Sequence, residues 1–564
     1  MLLASGRRWL VAYWADLACA GAIWLTLVLT AQRWAGLDTP DSSFYASLGI
    51  FGSEVSDRAY DNSYFWTRLG QIAPTHALTT VFGIWPGMAL WHWFLLAIFV
   101  AGAYVAVRKF TSTLTATVLT AAISLSTVPL SYLANPYVTG AVLAGTSALI
   151  AAAMFDSRRS AILAGALMGW LVMVNPPGVL LAGVVWLVIR IQRRAVRMRD
   201  LLFTAIATLV TFVFFLGIGK VLYPELNWFS AYLDAQGIKL SDFASKEPIW
   251  LQDISMLVPF AIVILTFAIW LMRRQSPAAQ LGFAISASSA AFMFVFSPLM
   301  GGIALEAPLY QAMLWPPALI ALALGIAAVT TPAASQEPAR WSISAMVLAG
   351  ISVAAIFAVG HWPGAIGLHK GQLLAVLLVA AAIALIALSP QRFAVHSAVL
   401  ALAIVLIGGQ ILQNSRPSLG LYYLSPYSWA FNDNSIADKM HNAVHAQEWV
   451  LASTSRDDTI LTWVDGDWVN GDRELYVVAG MQLWGPNRIG LFAELNADDL
   501  ARLNSIRPSV IAMYGNSMDG ISTFMRGIPT DAQASSPTCS QFSWPVEQIA
   551  YFNVCLTRLN WTQA

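Results

Sequence analysis

The chain has 564 residues, of which 58% are hydrophobic and only 11% are charged. Soluble domains run at roughly 45–50% apolar and about 25% charged residues, so this composition excludes an ordinary soluble protein. The net charge of +1 argues against a nucleic-acid partner. Repeated apolar runs of about 20 residues predict a polytopic α-helical membrane protein, because each helix needs that length to cross ~30 Å of hydrocarbon.

The apolar runs predict about 13 transmembrane helices. The first run follows Arg7 and Arg8 and lacks a small-residue cleavage site, so it is predicted to be a retained helix rather than a signal peptide. The predicted spans are 9–30, 86–107, 112–131, 137–155, 160–175, 177–191, 201–222, 254–272, 280–297, 309–329, 341–360, 371–388 and 395–413.

The basic residues predict the orientation. With a cytoplasmic N-terminus, the inner loops hold 15 Lys and Arg residues and the outer loops before residue 413 hold 7, which is the bias that the positive-inside rule expects. Thirteen spans then place the C-terminus outside. Arg outnumbers Lys by 25 to 6, which hints at a GC-rich bacterial genome and hence a bacterial cytoplasmic membrane.

The acidic residues follow the opposite distribution. Of the 15 carboxylates in the membrane half, 11 fall in the outer loops, so any chemistry is predicted on the outer face. Asp16 lies within the first span, where an ionisable residue is a functional candidate by default. It is close to the cytoplasmic end of the span, however, and a structural partner is the favoured interpretation.

The composition changes near residue 414. Residues 1–413 are predicted to form the membrane domain, and residues 414–564 a small extracytoplasmic α/β domain. There, "DTILTWV" and "IAYFNVCLTRL" have strand patterns, and "DDLARLNSIRPSVIAMYG" predicts a helix followed by a buried strand. Cys539 and Cys555 suit a disulfide if this end faces an oxidising compartment.

The first outer loop contains the stretch "GLDTPDSSFYASLGIFGSEVSDRAYDNSYFWTRLGQIAP", residues 36–74. Loops of this length are usually functional or disordered, and its many aromatic residues argue against disorder. Residues 57–72 are predicted to form an amphipathic helix at the membrane interface, facing lipid headgroups. The loop carries five carboxylates: Asp38, Asp41, Glu54, Asp57 and Asp61.

Three cations accompany these acids: Arg58, Arg68 and His76. An arginine at headgroup level suits a phosphate, since its planar fork pairs with phosphate oxygens bidentately. The alternative for each is a side chain that only snorkels to the interface.

Two further outer loops contain candidate ligand-binding residues. Trp228 and Tyr232, in the loop 223–253, could stack on a sugar or simply belong to an aromatic interface belt. Glu306 and Tyr310, in the loop 297–318, stand at the top of a span in a turn rich in glycine and proline, which could equally be an ordinary turn.

The order of these features resembles the GT-C glycosyltransferase superfamily. Members have a cytoplasmic N-terminus, one span and a long outer loop with an Asp followed by a Tyr, here Asp41 and Tyr45 in "PDSSFY". A juxtamembrane Arg and a Pro before the next span follow, here Arg68 and Pro74 in "YFWTRLGQIAP". In "EAPLYQAMLWPP" the chain keeps a Tyr and two prolines of a later family loop but lacks its Arg, a departure from the family pattern.

The resemblance implies transfer of a sugar from a polyprenyl-phosphate donor to a glycan, lipid or protein acceptor on the outer face, in cell-envelope glycan assembly and with inversion. A carboxylate must then take a proton from the acceptor hydroxyl. The implied base is Asp41, with Asp38 as second choice, and Arg68 with Arg58 or His76 would hold the phosphate. Asp57 or Asp61 could bind a divalent metal such as Mg, Mn or Ca. Tyr45, Trp228, Tyr232, Glu306 and Tyr310 are the candidates for sugar and acceptor contacts.

Three alternatives remain open from the sequence. A secondary transporter or flippase would place ionisable groups on broken helices near the midplane with repeat symmetry, which this sequence does not show. A polymerase or ligase that uses a lipid-diphosphate donor also remains open, because composition does not distinguish monophosphate from diphosphate donors. A purely structural scaffold is disfavoured by the acidic, aromatic first loop. No P-loop or dinucleotide-binding motif is present, which disfavours a cytosolic nucleotide as substrate.

Overall fold

The computed structural model describes a helical N-terminal region and a strand-containing C-terminal region. The described residues are 2–30, 45–46, 48–50, 52, 64–224, 227, 254–299, 308–330, 445–446, 449–450, 452–455, 457–465, 488–490, 503–515, 517–546 and 549–561.

The N-terminal region is a succession of helices joined by short connections. The helices are α1 Leu2–Thr30, α2 Leu69–Phe82, α3 Ile84–Arg108, α4 Thr113–Ser124, α5 Thr127–Leu133, α6 Thr139–Ala153, α7 Arg158–Val172, α8 Pro176–Gln192, α9 Met198–Leu222, α10 Ile254–Met272, α11 Pro277–Leu299, α12 Pro308–Gln311 and α13 Trp315–Thr330, with 3-10 turns at Tyr64–Thr67 and Ala312–Leu314.

Helices cover most of each of the first ten predicted spans, although the span 112–131 is divided between two helices. Among the described residues, the segments long and apolar enough to cross a membrane are Pro86–Arg108, Met198–Leu222, Pro277–Ser297 and Ala312–Val329. The chain is therefore a polytopic helical membrane protein. The predicted spans 341–360, 371–388 and 395–413 lie outside the described residues, as does the predicted domain boundary at residue 413.

Two prolines explain helix boundaries in the structure: one coincides with a break in a predicted span, and the other stands at the start of a helix. The span 112–131 is in fact two helices, since α4 ends at Ser124 and α5 begins at Thr127. Pro129 has no N–H to donate back to Leu125, so a continuous helix would lose a hydrogen bond there. In α13, Pro316 follows the first residue, where the missing N–H costs nothing.

A small-residue face holds α7 against α9. Gly165 and Gly169 lie one turn apart on α7, and a Cβ at either would collide with a backbone carbonyl of α9. Thr204 donates its hydroxyl to the Ala161 carbonyl at 3.1 Å, and Thr208 donates to the Gly165 carbonyl at 3.1 Å. Helices in lipid associate through such close backbone packing, because the hydrophobic effect does not drive one helix against another there.

Charged residues mark one end of the bundle, which we call the inner end in keeping with the predicted orientation. Arg190 donates to Asp156 at 2.9 Å and to Asp200 at 3.0 Å, so one guanidinium joins two connections. Asp16 accepts hydrogen bonds from Tyr104, Arg108 and Thr113 at 2.8, 2.8 and 3.0 Å. Asp16 therefore has the structural partners that the sequence suggested.

The opposite end, which we call the outer end, consists of the start of α2 and the connections 134–138 and 173–175. Backbone and side-chain hydrogen bonds join these three segments. Helices of alternating direction carry the chain between the two ends.

The C-terminal region contains a mixed sheet. Strands β1 Ile460–Val464, β2 Arg488–Gly490 and β3 Val510–Gly515 are parallel, and the order across the sheet is β2-β1-β3-β6-β4. The remaining elements are α14 Met518–Arg526, β4 Ala532–Ala534, β5 Thr538–Val546 and β6 Ile549–Trp561.

The predicted strands in "DTILTWV", "SVIAMYG" and "IAYFNVCLTRL" are thus confirmed as β1, β3 and β6. The side chains of β1 and β3 are buried along their whole length, as expected for the central parallel strands of a covered sheet. Cys539 on β5 and Cys555 on β6 are directly paired across the two strands and form a disulfide.

Candidate functional site

The start of α2 places Arg68 inside the protein. The 3-10 turn Tyr64–Thr67 ends at Arg68, whose N–H bonds to the Phe65 carbonyl and whose carbonyl accepts from the Ile72 N–H. Only 5% of Arg68 is exposed. An anion is favoured at the N-terminus of a helix and a cation is not, so an arginine here suits a site that receives a negatively charged group.

This geometry corrects the predicted helix 57–72. In the described part, residues 64–67 form a 3-10 turn and α2 runs from Leu69 through Pro74 to Phe82. The first residues of α2 are buried, so this part of the helix lies within the protein and not on the membrane interface. The amphipathic spacing in the sequence reflected burial against the bundle.

A hydrogen bond from a distant helix allows α2 to continue through Pro74. Pro74 has no N–H for the Gly70 carbonyl, four residues earlier. The indole N–H of Trp170 donates to that carbonyl at 2.9 Å instead. The Gly70 N–H in turn donates to the Met173 carbonyl at 2.9 Å, which fastens the connection 173–175 to the start of α2.

A second connection is fastened to the same turn of α2 by Gln71. Its side-chain N–H donates to the Pro136 carbonyl at 3.0 Å, and its side-chain oxygen accepts from the Trp91 indole at 3.0 Å. Asn135 caps the following backbone by accepting from the Tyr137 N–H at 2.8 Å. The outer end is therefore a set of irregular backbone segments tied together by buried polar side chains.

Aromatic rings pack around the 3-10 turn that precedes Arg68. The ring of Tyr45 is 2% exposed and packs edge-on against Phe65 and Tyr137, with centroids 5.2 and 5.4 Å apart. Trp66 packs edge-on against Tyr223 at 4.4 Å. Burial raises the pKa of the Tyr223 phenol, so this hydroxyl, 3.5 Å from the Leu48 carbonyl, stays neutral.

His76 lies two turns along α2 from Arg68, a rise of about 12 Å. One ring nitrogen is 3.3 Å from the Gly49 carbonyl, and the ring occupies the space that a Cβ on Gly52 would take. Gly52 has a φ of 55°, which favours glycine. His76 therefore anchors the segment 48–52 to α2.

Tyr310 is buried at the same end of the bundle. It is 5% exposed, and the 3-10 turn Ala312–Leu314 that follows packs on α5 and α6 near the connection 134–138. The structure thus brings Tyr45, Arg68 and Tyr310 to the outer end.

The other predicted site residues lie outside the described residues. They are Asp38, Asp41, Arg58, Asp57, Asp61, Trp228, Tyr232 and Glu306. Within the described residues, no group of three or more His, Cys, Asp or Glu side chains could hold a metal ion.

Sequence reasoning missed the residues that assemble this end, namely Gln71, Asn135, Trp170 and Asn175. A signal existed: Asn-Pro occurs at 135–136 and again at 175–176, each time between two apolar helices. Asn and Pro favour turns, and paired occurrences at successive outer connections could have indicated a built surface.

Two solved structures share the fold of this chain. ArnT from Cupriavidus metallidurans bound to undecaprenyl phosphate superposes with a TM-score of 0.53 at 14% identity, over 97% of this chain and 98% of that one. The same protein in the apo state gives 0.52 at 14% identity, over 98% of both chains. No protein-family model and no curated protein sequence matches. The comparison therefore shows that this chain shares the fold of ArnT.

Proposed function

We propose that this chain is a membrane glycosyltransferase that moves a sugar from a polyprenyl-phosphate donor to an acceptor at the outer face of a bacterial cytoplasmic membrane. The observation that carries the proposal is the buried Arg68 at the N-terminus of α2, three residues after Phe65, whose ring packs against Tyr45. The shared fold supports it, because ArnT was solved with undecaprenyl phosphate bound. The disulfide between Cys539 and Cys555 supports an oxidising outer compartment for the C-terminal region.

In this proposal Arg68 binds the phosphate that joins the sugar to its lipid. Its guanidinium would neutralise charge that builds up on the phosphate as the bond to the anomeric carbon breaks. Burial strengthens this effect, because little water remains to screen it. Tyr45 and Tyr137, both buried and packed edge-on, would support this site from within the protein.

Asp41 is the proposed base. It precedes Tyr45 by four residues, so its Cα lies within about 14 Å of the Tyr45 Cα in any conformation. The carboxylate would take the proton of the acceptor hydroxyl as that oxygen bonds to the anomeric carbon on the face opposite the phosphate. The phosphate leaves with the electrons of the broken bond, and the configuration inverts. Asp38 is the second choice for the base.

The remaining proposed contacts come from flanking loops. Trp228, Tyr232, Glu306 and Tyr310 would contact the sugar or the acceptor, and Arg58 would assist Arg68. His76 would act indirectly, by holding the segment 48–52 in place. A divalent ion at Asp57 or Asp61 is a separate proposal, tested by measuring transfer after chelation and after each metal is restored.

The test uses the purified chain in nanodiscs with radiolabelled polyprenyl-phosphate sugars. We expect release or transfer of label by the wild type and its loss in Asp41→Asn at unchanged thermal stability. Glu54→Gln is the matched control, because it removes the same charge from the same loop at a residue with no proposed role. An Asp41→Asn variant that retains most of the wild-type rate would refute the assigned base, and a wild type that neither binds nor turns over any lipid-linked sugar would refute the function.

A further inference from the structure

Asn175 is a buried polar residue at the outer end whose side chain has an unmet hydrogen-bonding need. It is 3% exposed, and no described residue donates a hydrogen bond to its side-chain oxygen. A buried amide oxygen left in this state is costly, and most such atoms in proteins have a partner. A bound molecule that carries a hydrogen-bond donor would remove this cost.

The local backbone explains why the helix does not use this side chain. Asn175 stands at the N-cap of α8, where an asparagine normally accepts from the N–H of the second or third helical residue. Pro176 and Pro177 fill the first two positions, and neither has an N–H. The structure shows no side-chain cap at Asn175. The two prolines therefore remove most of the N–H groups that Asn175 would normally cap. Its side chain is available to a ligand.

The position of Asn175 connects it with the proposed donor site. The Met173 carbonyl accepts from the Gly70 N–H, and a Cβ on Gly70 would come within 2.6 Å of the Val174 side chain. Asn175 thus follows a segment in direct contact with the start of α2, where Arg68 stands. Arg68 and Asn175 therefore lie on either side of the contact between Gly70 and residues 173–174.

The Asn175 side-chain oxygen needs a hydrogen-bond donor, which decides whether the phosphate or the sugar of the lipid-linked substrate binds it. A phosphodiester offers only acceptors, so it cannot satisfy an amide oxygen. A sugar hydroxyl donates to the side-chain oxygen and can accept from the side-chain N–H₂ of the same amide. We propose that Asn175 binds a hydroxyl of the sugar carried by the polyprenyl phosphate, and so determines which sugar is transferred. This inference rests on the proposed function and adds a specificity residue to it.

Stability and ligand binding should respond to Asn175→Leu in opposite directions. Leucine has a similar size and removes the unmet oxygen, so the thermal unfolding midpoint should rise. The same change should weaken binding of a sugar-loaded polyprenyl phosphate by about tenfold, the effect of one lost hydrogen bond to a buried group, and leave binding of bare undecaprenyl phosphate unchanged. A purely structural asparagine would show the reverse, with a lower midpoint and equal losses for both lipids.

The matched control is Thr120→Val on α4. Thr120 is likewise fully buried, and its hydroxyl has no partner among the described residues. The change should raise the midpoint in the same way without altering the preference for loaded over bare carrier.

Binding is measured in nanodiscs with undecaprenyl phosphate and with its arabinofuranosyl, aminoarabinosyl, mannosyl and glucosyl forms. For the preferred form, analogues that lack one hydroxyl each complete the test: one of them should bind the wild type and Asn175→Leu equally. Equal weakening of bare and loaded carrier by Asn175→Leu would overturn the inference. So would unchanged binding of both, which would assign the oxygen to a buried water. Failure of the wild type to bind even bare undecaprenyl phosphate would count against the proposed function itself.

Discussion

The two ends of the helix bundle are held together by different kinds of interaction. At the inner end, the three acidic side chains of the described membrane region are each held by an arginine: Asp16 by Arg108, and Asp156 and Asp200 by Arg190. At the outer end, the described segments are joined by backbone carbonyls, amides and indoles around the buried Arg68. The inner end pairs acids with arginines, whereas the described part of the outer end is joined by neutral polar groups at a helix start where helix electrostatics favours an anion.

This difference predicts which end determines stability and which determines activity. Pairs buried within the protein are needed for folding, because loss of one partner leaves a charge in a medium of low dielectric. Groups arranged for a ligand are often suboptimal for stability until the ligand is bound. Four substitutions test this division, beginning with the one expected to cost the most stability.

Arg190→Ala should cause the largest loss of stability. Asp200 is 3% exposed and would lose its ion pair, and the Phe155 and Ala195 carbonyls would lose their donor as well. We expect a loss of about 3–5 kcal/mol in the free energy of unfolding, measured by thermal or denaturant unfolding in detergent. Arg193→Ala is the matched control, because its partner Asp156 is 38% exposed and a screened pair contributes at most about 1 kcal/mol. Equal effects of the two changes would contradict a structural role specific to Arg190.

Arg68→Ala should reduce the transfer rate about 10²–10³-fold, the usual result of removing a donor that stabilises charge in the transition state. Arg68→Lys keeps the charge but loses the planar fork, so it should fall between Arg68→Ala and the wild type. Arg197→Ala, an exposed arginine near the inner end, is the control and should leave the rate unchanged. Single-turnover transfer in nanodiscs gives the rates. If Arg68→Ala only lowered the unfolding midpoint at an unaltered rate, the outer end would be structural too.

Asp458 extends the arginine-paired pattern of the inner end to the C-terminal sheet. Burial alone would raise the pKa of its carboxyl, but hydrogen bonds from the Ser455 N–H, the Ser509 hydroxyl and Arg558 together lower it. A carboxyl whose pKa is lowered in the folded state stabilises the protein above its unfolded-state pKa of about 3.9, and this contribution disappears as the pH falls through the folded pKa. The protection factors of amides in β1 and β3, which correct for the slower intrinsic exchange in acid, should therefore fall on acidification below about pH 4.

Asp458→Asn should flatten that acid dependence, and the exposed neighbour change Asp457→Asn should preserve it. The effect is expected to be modest because the Arg558 side chain is 56% exposed and the pair is screened by solvent. An unchanged pH profile in Asp458→Asn would show that another group controls the acid response of the sheet.

The sequence predicted the elements better than the contacts between them. Hydropathy and strand alternation are local patterns, so the first ten spans and the strands β1, β3 and β6 were predictable. The continuation of α2 through Pro74 was not, because it depends on Trp170, 100 residues further along the chain. Arg68 and Tyr45 could be chosen from their resemblance to a family pattern. Asn175 could not, since its unmet oxygen is a property of packing and not of the residue type.

Trp170→Phe tests the outer end most directly. It removes the only N–H that the described structure supplies to the Gly70 carbonyl in place of Pro74, which should cost about 1–3 kcal/mol of unfolding free energy. Trp24→Phe is the control, since Trp24 also donates to a backbone carbonyl, that of Trp93 at 2.9 Å, away from the start of α2. Only Trp170→Phe should also raise the KM for the lipid-linked donor.

A second change should repair this defect. Pro74→Ala restores a backbone N–H four residues after Gly70, so in the Trp170→Phe background it should recover stability and the KM together. In the wild-type background the same change has no missing hydrogen bond to replace. Recovery in the double variant would establish that the indole holds Arg68 in position by completing α2. A double variant no better than Trp170→Phe alone would show that the indole acts through its size instead, and the outer end would then depend on aromatic packing more than on hydrogen bonds.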